Sequence, residues 1–174
     1  MTDSSPEAAL RHLLSVMAKL RDPTAGCPWD QVQDFASIAP YTVEEAFEVA
    51  DAIRAGPDFA ALLDELGDLL FQVVYHARMA EEAGRFGFAE VARAITAKMV
   101  RRHSHVFGDA APRSAASQTD AWEAQKAAER ASDSQGNGVL AGVPSALPAL
   151  SRAAKLTRRA AQVGFDWPDA ASVL

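Results

Sequence analysis

Carboxylates stand in two short runs whose spacing suits one helix face each. Glu44, Glu45, Glu48 and Asp51 form the first run; Glu65 and Asp68, followed by Gln72, form the second. At 100° per residue the first set falls in one arc of about 120°. Glu44 and Glu48, four residues apart, repel. Around both runs lie apolar residues such as Phe47, Ile53, Leu62, Leu66 and Leu69. Carboxylates beside such residues are costly unless hydrated or paired with cations. Two stripes on neighbouring helices can converge, and hard divalent ions, Mg²⁺ above all, take such oxygen ligands. Ions held there neutralise phosphate and activate water. The competing reading is a pair of solvated helix faces. A di-iron bundle would need Glu-x-x-His on two helices. None of His12, His76, His103 and His105 has an acid three residues before it.

Basic and aromatic residues supply the second half of a site. Lys98, Arg101 and Arg102 share a face at the end of a predicted helix. They suit a phosphate clamp, Lys as a point charge and Arg as a fork; a helix C-terminus also attracts cations through its dipole. Trp29, between Pro28 and Asp30, is placed either to stack on a base or to anchor a loop. Trp122 and Lys126 lie one helical turn apart, to close over a substrate or simply to pack and solvate. Cys27 has no His or Lys nearby in sequence and is not read as a reactive thiol. His103 and His105 read as surface or capping residues. No Walker A loop and no G-x-G-x-x-G occurs, so phosphate binding of the P-loop or Rossmann kind is excluded.

The elements that must position these groups are helices. Of the 174 residues 37 are alanine, and aromatic residues make up 7%. That composition favours helix and disfavours an all-β or doubly wound fold. Helical spacing of Leu10, Leu13, Leu14, Met17 and Leu20 predicts a first helix over 7–21. A Pro-punctuated connection over 22–40 follows. The second helix is expected over 41–54, with Thr42 as N-cap and Glu45 at capping-box spacing. Gly56-Pro57-Asp58 breaks the chain before a third helix over 59–83, which makes the two acidic helices antiparallel neighbours. A fourth is expected over 87–103, a small-residue loop over 108–119, a fifth helix over 120–131 and a last one over 146–162. The segment 132–138 reads as a flexible linker.

Length predicts one domain with a tail: a domain over 1–131, a flexible linker over 132–145, and a C-terminal helix and tail over 146–174. One cysteine excludes an intramolecular disulfide framework. No apolar run reaches the ~20 residues that span a bilayer. The polar, acidic start offers no signal peptide, so a cytoplasmic setting is expected. Net charge is −6, unevenly spread. From Asp22 to Ala77 eleven acids face one base, Arg54, and the remainder is basic by 4. An acidic window of this kind recruits cations and disfavours stable nucleic-acid binding.

The segments VEEAFEVAD and DELGDLLFQVVYHARMAEEAGRF resemble the E-x-x-E…E-x-x-D signature of the all-α nucleoside triphosphate pyrophosphohydrolases. The flanks LRDPTAGCPWDQVQDFASIAPYT and KMVRRHSHVFGD resemble the MazG family specifically. The resemblance is dense from Leu10 to Asp109 and looser beyond. It implies an all-α helical bundle completed by oligomerisation, as a homodimer or higher assembly. It implies that Glu45, Glu48, Glu65 and Asp68 hold Mg²⁺, with Mn²⁺ a possible substitute. Glu44 would ligate or position the nucleophilic water. Lys98 and Arg102 match phosphate-contacting positions, and Trp29 a base-contacting one. Tyr41 and Trp122 are further substrate contacts implied in the same way. The implied reaction converts a nucleoside triphosphate and water to the monophosphate and pyrophosphate, in clearing nucleotide pools. The alternative is a non-catalytic regulatory module. The family also contains tandem two-domain members. Here Lys19-Leu20-Arg21 before Cys27-Pro28-Trp29-Asp30 is echoed by Lys155-Leu156-Thr157-Arg158 before Gly164-Phe165-Asp166-Trp167. The tail thus reads as the possible start of a second repeat.

Overall fold

The computed structural model describes residues 5–56, 58–109, 114–132 and 138–173. Among these no strand occurs, and the fold class is all-α as expected. The chain forms two compact units, Met1–Arg101 and Arg102–Leu174.

The first unit holds α1 (Pro6–Leu20), α2 (Pro28–Gln31), α3 (Phe35–Ala55), α4 (Phe59–Glu82) and nearly all of α5 (Phe88–Arg102). Helix α4 packs against both α3 and α1. Its core is Met17, Ile38, Val74, Tyr75 and Met79, joined by Leu13, Leu14, Phe71 and Phe88. These residues come from α1, the start of α3, the second half of α4 and the start of α5. The core therefore sits at one end of the α3–α4 pair.

Helix α3 begins six residues earlier than the predicted 41. Asp34, not Thr42, is the N-cap: its carboxylate accepts from the Ser37 amide at 2.8 Å, and the Ser37 hydroxyl receives the Asp34 amide at 2.9 Å. Pro40 lies inside the helix. It removes one backbone hydrogen bond, and a proline at such a place ordinarily argues for a helix boundary. The capping box and the burial of Ile38, 2% exposed, offset that loss. Thr42 instead turns its hydroxyl to His76 Nε2 on α4, at 2.9 Å. At the hairpin turn, Gly56 adopts φ 121° and Asp58 caps α4 through the Ala60 and Ala61 amides. Pro57 lies outside the described residues.

The connection after α1 is ordered by its own hydrogen bonds. Asp22 accepts from the Thr24 and Ala25 amides, both at 2.8 Å, and Cys27 donates to the Leu20 carbonyl at 2.8 Å. A side chain at Gly26 would overlap the Leu20 and Asp22 backbone, so the tight path requires glycine there. Arg21 then ties α2 to α4. Its guanidinium donates to the carbonyls of Asp30 and Gln33 and pairs with Glu82 at 2.8 Å. The Tyr75 hydroxyl donates to the same Asp30 carbonyl at 3.0 Å. Burial pushes the Tyr75 phenol up to about 12.

The second unit contains α6 (Ser104–Phe107), α7 (Ala115–Ser132), α8 (Ala149–Ala161) and a 3₁₀ turn, Ala170–Val173. Among its described residues none is fully buried. Helix α7 starts earlier than the expected 120. Of the predicted loop over 108–119, residues 110–113 lie outside the described residues, as do 133–137 of the predicted linker.

Candidate functional site

The α3–α4 pair brings the two acidic stripes together. Carboxylate oxygens of Glu45, Glu65 and Asp68 all lie within 4.8 Å of one another. Glu45 and Glu65 are half-buried and Asp68 is exposed. Partial burial raises the Glu45 carboxyl above its ordinary range. A hydrogen bond with Glu48 and the charges of Asp68, Glu48 and Glu44 raise it further. Glu65 is raised in the same way, first by burial, then by the charges of Glu48, Asp68 and Asp64. Glu48 thus acts on both stripes although it stands outside the closest triad. Asp64 joins the field, a neighbour that the spacing argument had not singled out. A cation shared among these oxygens would relieve that crowding. The donor set fits Mg²⁺ or Mn²⁺ by its hardness and its all-oxygen composition.

Trp29 and Tyr41 meet edge to face, ring centroids 6.2 Å apart at 76°. Both stay open, 51% and 42% exposed. Trp29 rides on α2, whose position is fixed by the Arg21 contacts one residue further along. Near the same helices His76 is stacked on Phe35, centroids 5.8 Å apart and planes at 4°. Burial lowers the His76 pKa, which favours the neutral ring beside Thr42.

The basic candidates divide between the units. Lys98 and Arg101 are exposed on α5 in the first. Arg102 opens the second, where Glu129 of α7 engages its guanidinium. Lys126 pairs with Glu123 at 2.8 Å and stands 5.9 Å from the Trp122 ring centre. His103 packs edge-on against Trp122 at 5.2 Å. His103 and His105 are half-buried ring neighbours, 5.8 Å apart, and His103 stands at the N-cap of α6, without a side-chain capping bond. The indole nitrogen of Trp122 is buried with no partner among the described residues.

Two neighbouring helices presenting converged carboxylates make an all-α site whose oxygen donors could hold a divalent cation. Residues 33–107 match the family described as the MazG nucleotide pyrophosphohydrolase domain. The chain is 53% identical over 155 residues to the nucleoside triphosphate pyrophosphohydrolase of Escherichia coli, covering 89% of this chain and 58% of that protein. It is 42% identical over 157 residues to the nucleoside triphosphate pyrophosphohydrolase/pyrophosphatase MazG of Thermotoga maritima, covering 90% and 58%. To the nucleoside triphosphate pyrophosphohydrolase of Mycobacterium tuberculosis it is 38% identical, covering 94% and 48%. Residues 33–107 thus carry a MazG domain, and the chain spans about three-fifths or less of the length of these relatives.

Proposed function

We propose that this protein hydrolyses nucleoside triphosphates between the α and β phosphates, releasing a nucleoside monophosphate and pyrophosphate. The observation that carries the reading is the convergence of Glu45, Glu65 and Asp68, with Glu48 acting on both stripes. The names of its relatives supply the substrate class. Glu45, Glu48, Glu65 and Asp68 would hold Mg²⁺, or Mn²⁺ in its place. Bound there, the ion would supply charge neutralisation and Lewis acidity at the triphosphate. Glu44, exposed beside the cluster, is assigned to ligate the ion or position the attacking water, whose proton passes to a carboxylate of the cluster. The water oxygen bonds to the α-phosphorus, the bond from that phosphorus to the bridging oxygen breaks, and pyrophosphate leaves. Lys98, Arg101 and Arg102 are assigned to the phosphates, Arg102 exchanging its carboxylate partner Glu129 for one. Trp29 and Tyr41 are assigned to the base, where an exposed edge-to-face pair offers a stacking wall. Trp122 and Lys126 complete the substrate contacts.

Exposed apolar residues support a homodimer or higher oligomer. Phe59, Leu63, Leu66 and Leu70 on α4, with Phe47 and Ile53 on α3, are each more than 40% exposed. No described helix is long and apolar enough to cross a membrane. The test is product analysis on a panel of NTPs and dNTPs, with Mg²⁺ and with EDTA. Monophosphate plus pyrophosphate, lost with EDTA, supports the reading. Diphosphate plus orthophosphate refutes the cleavage site. Nucleotide binding without product would make the protein a non-catalytic module.

A further inference from the structure

Gln72 stands apart from the rest of the site. It is 8% exposed, and its side-chain oxygen is buried with no hydrogen-bond partner among the described residues. Its place on α4 is specific. Glu65, Asp68, Gln72 and His76 fall within one arc of about 80° on that helix. Two of them, Glu65 and Asp68, meet Glu45 of α3, and the last meets Thr42 of α3. Gln72 therefore lies on the α3-facing stripe between two points anchored to that helix. Long helical side chains lean toward the helix N-terminus. One turn in that direction is Asp68, so that lean directs the carboxamide toward the acidic cluster.

A buried acceptor without a donor lowers stability unless it has a task. Neighbouring carboxylates are acceptors too, so the fitting donor is a small molecule with two hydrogens to give. We propose that Gln72 is a positioning residue for the attacking water. One hydrogen of that water goes to Gln72 Oε1 and the other to a carboxylate of the cluster. Its remaining lone pair then faces the substrate phosphorus. A glutamine that orients a water for in-line attack does the same work in other phosphoryl transfers. This proposal rests on the hydrolytic reading above.

The experiment compares the wild-type chain with Gln72→Met, close in shape but without the acceptor. Both are measured for thermal stability and for turnover of ribo-, 2′-deoxy- and 2′,3′-dideoxynucleoside triphosphates. The expected result is an unusual pair of changes. Tm rises by about 2–4 °C, because the orphaned oxygen is gone. At the same time kcat falls about tenfold to a hundredfold on all three sugars, while KM and the Mg²⁺ half-saturation stay put. A variant that melts lower or fails to fold would make Gln72 a packing residue and overturn the proposal. Unchanged kcat would overturn it as well. A loss confined to sugars carrying a hydroxyl would assign the oxygen to the sugar instead. A wild-type protein that releases no pyrophosphate removes the hydrolytic reading itself, and this proposal with it.

Discussion

Arg21 is the residue whose loss should be felt furthest from the chemistry. Its side chain is 9% exposed and serves four partners: the Asp30 carbonyl, the Gln33 carbonyl, Glu82 and, at 3.5 Å, the Tyr75 hydroxyl. In Arg21→Met these are not left equally bare. The Asp30 carbonyl keeps the Tyr75 hydroxyl at 3.0 Å, and Glu82 keeps Arg78 at 2.9 Å. The Gln33 carbonyl loses its guanidinium donor. Stranding such an acceptor costs about 1–3 kcal/mol. The ion pair is half sheltered, Glu82 being 29% exposed. Its loss falls between the surface and buried limits, about 1–2 kcal/mol. The expected destabilisation is therefore about 2–5 kcal/mol. Tyr75→Phe removes only a hydroxyl whose acceptor retains Arg21, and should cost about 0.5–1.5 kcal/mol. Urea denaturation followed by circular dichroism measures both, and the double variant measures their coupling. The reasoning fails if Arg21→Met costs no more than Tyr75→Phe. It also fails if the two effects add without coupling, since both donate to one carbonyl. Because Trp29 adjoins Asp30, the same variant should raise KM for nucleotide more than it lowers kcat.

Three further outcomes follow from the same contacts. Saturating Mg²⁺ should raise Tm, by the equivalent of about 2.7 kcal/mol at a hundredfold excess over Kd; Asp68→Asn should remove that shift and lower turnover more than a hundredfold (a ~3 kcal/mol effect), as calorimetry and product assays would record. The metal-free protein should have a stability maximum on the acid side of neutrality. Glu45 and Glu65 titrate above their ordinary range, so the folded chain binds more protons there and stabilises as pH falls toward that range. Burial raises Glu82, but the hydrogen bonds from Arg21 and Arg78 outweigh it and hold it low. Its contribution is present above the ordinary glutamate range and is lost as pH falls through its depressed value. Asp34, held low by the Ser37 amide, behaves likewise. As pH falls from neutrality Tm should first rise and then fall, and Glu45→Gln should flatten the rise. Thr42→Val should cost about 1–2 kcal/mol by leaving His76 Nε2 without its partner at 2.9 Å; a value near zero in urea titrations would mean that the pair ties nothing together.

The acidic cluster was legible because a helix converts spacing into direction. E-x-x-E and E-x-x-D each put two carboxylates on one face, and the short break at Gly56 and Asp58 turned those faces toward each other. The start of α3 was not legible by the same logic. Pro40 spoke for a boundary, while Asp34 and Ser37 carried the true one six residues earlier. Local propensity lost to a capping box and the burial of Ile38. The Arg21 contacts could not be read at all. They join residues 61 and 54 positions apart in sequence, Arg21 to Glu82 and to Tyr75. No periodicity predicts a guanidinium that closes on backbone carbonyls. Gln72 appeared in the sequence only as the third member of a polar stripe. Its meaning came from burial, which spacing does not supply.

Stability and chemistry occupy opposite ends of the same two helices. Apart from Gln72, at the boundary with the acidic cluster, every buried residue of α4 lies from Val74 onward, and the single buried residue of α3 is Ile38, near its start. The other end carries Glu45, Glu48, Glu65 and Asp68, whose mutual repulsion works against the hairpin. It also leaves Phe59 77% and Leu63 72% exposed. A hairpin that is repelled by its own carboxylates and unburied around them is held by its far end alone. Cations between the stripes would remove the repulsion, and a second chain over the apolar flank would supply the missing burial. On this reasoning metal binding and association reinforce one another through α3 and α4. Mg²⁺ should therefore strengthen the oligomer, and light scattering with and without EDTA would reveal the coupling as a change in the dissociation midpoint. An oligomer equally tight in both conditions would mean that the two ends of the hairpin are independent, with the apolar flank covered irrespective of charge.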